Sequence, residues 1–163
     1  MTITTDDINR IKEVTIRMMK QNFKNDGKLF PVIMALEASG KMNYIGTPFR
    51  NQEEKMQTLI YAKELCKKIN AVAFFMITEA WFMKATPEEY KKYLEELKRT
   101  GKRVGDYNDK KEVAIMLFET KTSSTTYTFD IDREKNELVN MDYITSGDGD
   151  FKNILCDIQT NTN

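Results

Sequence analysis

The stretch AVAFFMITEAWFM, residues 71–83, is apolar at both parities of an extended chain, and its reading decides the fold. Phe75, Ile77 and Trp81 share one face, and Phe74, Met76 and Phe82 share the other. A strand with one wetted side alternates in polarity, whereas a strand covered on both sides does not. The run therefore predicts a central strand with apolar layers above and below it. A membrane helix needs about 20 such residues, so this run is too short for one, and it carries an acid, Glu79.

Working outward, Asn51-Gln52-Glu53-Glu54 has the spacing of a helix start, and the helix after it predicts a buried stripe of Met56, Leu59, Ile60, Cys66 and Ile69. On the other side, Thr86-Pro87-Glu88-Glu89 combines a capping Thr, Pro at the first helical position and Glu at the third. That helix runs to about Thr100, with Gly101 as its stop, and its modest apolar side (Tyr90, Tyr93, Leu94, Leu97) places it on the surface.

Farther out, Thr4 or Thr5 caps a first helix. Its apolar residues Ile8, Ile11, Val14 and Met18 recur at helical spacing until Asn25-Asp26-Gly27. Residues 29–46 read as a hairpin turning at Ser39-Gly40, with Pro31 at its entry. Residues 112–121, 124–133 and 137–145 are three strand candidates, the middle one alternating Tyr127, Phe129 and Ile131 with Thr126, Thr128 and Asp130. A loop over Ser146 to Asp150 leads to a short amphipathic segment, Phe151, Ile154 and Leu155. This order predicts an α+β fold: a single mixed, mostly antiparallel sheet of about six strands packed against two or three helices. One domain spans residues 1–163, with a polar tail from about 158.

Composition limits the chemistry. The 25 basic and 25 acidic residues cancel, which removes the electrostatic footprint of a nucleic-acid binder, so no nucleic-acid partner is expected. The N-terminal MTITTDDINR lacks a basic and apolar leader, so the expectation is a cytoplasmic protein without membrane attachment. The chain has no histidine, which excludes histidine-based nucleophile systems and leaves no side chain that titrates unperturbed near neutrality. Its two cysteines, Cys66 and Cys156, cannot close a structural zinc site and read as small apolar residues. No Gly-rich phosphate loop, dinucleotide fingerprint or EF-hand spacing occurs, so no cofactor is expected.

Glu79 is the first candidate site. The bland reading has its strand reach the sheet edge there, with the acid in water; a second pairs it with a cation such as Arg103; a third makes it a functional acid. Trp81, with Phe82 and Arg103, is a candidate anchor for a partner. Arg103, Asp106, Asp109 and Glu112 lie on or beside the loop feeding the next strand, where sites often sit, although Asp and Asn there also make ordinary turns. The ten methionines read first as core gap-fillers; the alternative is an adaptable binding surface, for instance at FKNILCDI, residues 151–158.

A strand ending Glu79-Ala80-Trp81, followed by Asp109-Lys110-Lys111-Glu112-Val113 at the next strand start, resembles a pattern in small uncharacterised proteins of bacterial, archaeal and phage genomes. The resemblance covers residues 29–120. It implies an intracellular prokaryotic or phage protein and carries no activity with it.

Two functions follow as expectations. The first is a non-catalytic binding or accessory protein, encoded by a phage or mobile element, that docks on a host or phage protein; a homo-oligomer is compatible with it. The alternative is a small carboxylate-based hydrolase dependent on Mg²⁺ or Mn²⁺, using Glu79 with Asp106, Asp109 or Glu112. With no cofactor fingerprint and no imidazole, the balance leans away from an enzyme.

Overall fold

The computed structural model describes residues 2–46, 49–83, 85–145 and 154–155. The elements in chain order are α1 (Thr5–Asp26), β1 (Val32–Glu37), β2 (Met42–Gly46), α2 (Gln52–Lys68), β3 (Ala71–Phe82), α3 (Pro87–Thr100), β4 (Lys111–Thr120), β5 (Ser124–Asp132) and β6 (Glu137–Ile144), with a 3₁₀ turn at Val104–Asp106. The six strands form one sheet in the order β2-β1-β3-β4-β5-β6, an α+β fold. Every pairing is antiparallel, so the expected mixed character is absent among the described strands.

β3 is flanked by β1 and β4 and is buried on both faces, as its unbroken apolar run requires. One face of the sheet carries Met34, Leu36, Phe75, Ile77, Met116, Phe118 and Phe129, which pack with Ile16, Met19 and Phe23 of α1. The other carries Ile33, Ala35, Phe74 and Leu117, which pack with Ala62 and Cys66 of α2 and with Ile154 and Leu155. The helices thus lie on opposite faces, and the sheet is the middle layer.

The helix ends follow the expected chemistry. Thr4 caps α1 and exchanges hydrogen bonds with Asp7; Gly27 ends it at φ 67°, the left-handed region where a side chain is strained. Thr86 and Glu89 form the same reciprocal box at α3, and Gly101 closes it. Gly40 turns the β1–β2 hairpin at φ 88°. Pro31 lies just before β1, where the missing N–H costs no ladder bond. α3 buries no residue.

Ile8 and Ile11 of α1, and Leu59, Cys66 and Ile69 of α2, pack on the core as their spacing predicts, but part of each stripe turns outward. α1 buries Thr15, Ile16, Met19 and Phe23, while Val14 and Met18 are exposed. α2 buries Ala62 and Cys66, while Met56, Ile60 and Tyr61 face solvent. Apolar spacing identifies residues that share a face; it does not say which of two adjacent apolar faces meets the sheet. The 146–150 loop, Phe151, Cys156 and the tail lie outside the described residues, as does most of the 151–158 segment.

Candidate functional site

Glu79 follows Ile77 and Phe75 on the α1 face of β3, near the strand's C-terminal end, and its side chain is 20% exposed. Its Oε1 accepts the backbone N–H of Leu29 at 2.7 Å, and its Oε2 accepts Arg133 Nη2 at 3.1 Å. The same guanidinium donates to Glu112 Oε1 at 2.7 Å and, through Nη1, to the Gly27 carbonyl at 2.6 Å. It also lies 5.5 Å from the Phe23 ring centre. The hydrogen bond to Glu112 is the main cause of a raised Arg133 pKa, so this cation stays charged. The sheet-edge reading of Glu79 is overturned, because β3 is an inner strand and the acid is paired. Its cation is Arg133 from the β5–β6 turn rather than Arg103. Arg133 is not marked in the sequence, because it ends the 124–133 strand candidate and nothing local points to a side chain that reaches across β4.

The remaining candidates do not gather around Glu79. Asp106 Oδ2 accepts the Arg103 N–H at 2.9 Å and so closes the 3₁₀ turn. Glu112 joins the Arg133 cluster. Asp109 and Phe82 line a cleft of about 510 Å³ with Lys111, Thr128, Asp130 and Asn140. There Lys111 pairs with Asp130 at 2.6 Å, and Asn140 donates to Asp130 at 3.0 Å. Among the described residues no group of three or more Cys, Asp or Glu is arranged to hold a metal ion. Trp81 is half exposed; Lys110 stands 4.7 Å over its ring and also donates to the Gly105 carbonyl. A Cβ at Gly105 would come within 3.2 Å of the indole, so the turn backbone rests on Trp81.

One further group is not marked in the sequence. Glu119 is fully buried under α2, where its carboxylate accepts Ser124 Oγ at 2.9 Å and the Leu155 N–H at 3.0 Å. It fastens residues 154–155 to the sheet. Cys66 lies on the same side of the sheet; burial first, and the Glu119 charge second, push its thiol up to about 12. A thiol held protonated in this way is a packing group rather than a nucleophile.

A second concavity lies elsewhere: a groove of about 520 Å³ between α1 and the β1–β2 hairpin. α1 crosses the middle of the sheet. From one flank, Lys12 and Lys20 reach over Phe118, Tyr127 and Phe129 of β4 and β5. The other flank presents Arg10, Val14, Met18, Asn22 and Asp26, spaced by four residues, as one wall of the groove. Val32, Met34 and Ile77 lie between this wall and Met42 and Tyr44 of the hairpin, with Phe30 at the entry to β1. Phe30 and Tyr44 are 66% and 68% exposed, and Met18 57%. Large apolar side chains left in water around one concavity mark an interaction surface. The signal is present in the sequence as the Val14–Met18 pair, but spacing marks it only as part of a helix and does not say which face it joins. Comparison with protein-family models, curated proteins and solved structures finds no match.

Proposed function

We propose that the chain is a non-catalytic binding protein that acts by docking on another protein, and that the groove between α1 and the β1–β2 hairpin receives an amphipathic helix of that partner. The observation that carries this reading is the apolar rim of the groove, where Val14, Met18, Phe30 and Tyr44 stand exposed. A second helix lying about two strand spacings from α1, about 10 Å away, would sit above β1 and β2. That offset equals the usual distance between packed helix axes, about 8–10 Å. The wall from Arg10 to Asp26 is about 24 Å long at 1.5 Å per residue, enough for a partner helix of four turns. On the resemblance noted above, the partner would be a host or phage protein inside a cell. No described helix is long and apolar enough to cross a membrane.

The hydrolase reading finds less support, since Arg133 occupies the space between Glu79 and Glu112 while Asp106 and Asp109 face other tasks. Selection from a displayed library of amphipathic helical peptides tests the docking reading. Binders of about micromolar affinity are expected, weakened more than about tenfold by Met18→Glu or Tyr44→Glu and untouched by Trp81→Ala. An empty selection, or binders indifferent to both groove substitutions, would sink it.

A further inference from the structure

The surface opposite the groove poses the complementary problem. The outer side of α2 exposes Met56, Ile60 and Tyr61, an apolar patch on a charged helix with nothing over it among the described residues. We propose that α2 of a second copy occupies the groove, so that the protein associates head to tail. This inference rests on the reading of the groove as a seat for a helix, and it names that helix.

The two surfaces match in length, polarity and charge. α2 has 17 residues, about 25 Å, against a wall of about 24 Å. Its exposed row Gln52, Met56, Ile60 and Glu64 has the same four-residue spacing as Asn22, Met18, Val14 and Arg10 of α1. Laid antiparallel, the rows set Met56 against Met18, Ile60 against Val14, Glu64 against Arg10 and Gln52 against Asn22. The apolar pairs fall at the centre and the opposite charges at one end, the arrangement expected of an interface core and rim. Parallel docking with the apolar pairs kept would instead set Glu64 beside Asn22 and Gln52 beside Arg10, and the opposite charges would no longer meet. One contact thus covers both exposed apolar patches, and their mutual match in charge is the reason to name a second copy as the occupant.

The groove and α2 lie on opposite faces of the sheet, so the contact is heterologous. After one contact one copy keeps a free groove and the other a free α2, and the assembly grows or closes into a ring. Association also hides the docking groove, which makes the monomer the form that receives a partner. The protein would therefore be most competent to dock when dilute.

Sedimentation of the intact protein from about 10 μM to about 1 mM reads the association directly. The mass is expected to rise with concentration. Met18→Glu and Ile60→Glu should each return a monomer with an unchanged circular dichroism spectrum. An equimolar mixture of the two variants should form a one-to-one dimer and stop there, because only one intact groove and one intact α2 can meet. Arg10→Glu should weaken association, and Glu64→Arg in the same chain should restore it. A wild type that stays monomeric throughout, or folded variants that fail to pair on mixing, would overturn the proposal. Ile60→Glu leaves the groove intact, so its capture of selected helical peptides separates failure of self-association from failure of the docking reading.

Discussion

At the residue scale, Arg133 bonds to groups from three separate segments: the end of α1 through Gly27, β3 through Glu79 and β4 through Glu112. Glu79 adds a fourth tie by accepting the Leu29 N–H. All these groups retain some contact with water, so the ion pairs themselves are weak, and the hydrogen bonds to charged partners carry most of the effect. Glu79→Gln is expected to cost about 1–3 kcal/mol in urea denaturation, with the double variant Glu79→Gln/Arg133→Met less destabilised than the sum of the singles. A change within about 0.5 kcal/mol would show that the cluster is an ordinary surface contact. Because the guanidinium fills the space between the carboxylates, Mg²⁺ or Mn²⁺ should leave the melting temperature unchanged; an ion at a hundred times its dissociation constant would add about 2.7 kcal/mol. The acid at position 79 stood out in the sequence as a charge in an apolar strand. Its partner did not, since residues 79 and 133 meet only through the register of three strands.

At the element scale, the parts legible in the sequence are those whose physics is local. The boxes at Thr4 and Thr86, the glycines at 27, 40 and 101, and the double-sided apolar run of β3 depend on neighbours within a few residues. The facing of α1 and α2 depends on where the sheet lies: spacing predicts Met56 and Ile60 as buried, whereas they, like Val14 and Met18, line open surfaces. α3 tests how far local physics alone can hold an element. It buries no side chain, and its ties to the rest include Tyr107 Oη donating to Glu96 at 2.7 Å and a ring contact between Tyr93 and Tyr107. Thr86→Ala removes the cap of a helix with little tertiary support, at a cost of about 1 kcal/mol to that helix. Amide exchange should therefore accelerate within residues 87–100 while global unfolding barely moves. Equal acceleration across β3 and β4 would show that α3 unfolds only with the core.

At the scale of the whole molecule, the absence of histidine shapes the response to pH. On the acid side, Asp7 is held below its ordinary value of 3.8, first by the Thr4 backbone N–H and then by its hydroxyl. Glu37 is lowered from 4.5 chiefly by Asn43, and Glu137 by the hydrogen bond from Lys24. A carboxylate with a depressed folded pKa contributes stability above its unfolded pKa and loses it as pH falls through the folded value. Acid destabilisation is thus expected to begin only near the ordinary carboxyl values and to deepen below them. On the alkaline side, Cys66 is raised from 9.0 to about 12 by burial, and Tyr107 from 10.0 to about 12 by its hydrogen bond to Glu96. A raised pKa contributes stability in full below the unfolded value and loses it as pH rises toward the folded one. Stability should therefore fall from about pH 9 upward, and Cys66→Ala should remove part of that fall. Between the two limbs no histidine titrates, so urea midpoints measured from about pH 5 to about pH 8 should form a plateau. A sigmoidal step centred near pH 6 or 7 would sink this account, since in a chain without histidine it requires a perturbed carboxylate, lysine or thiol.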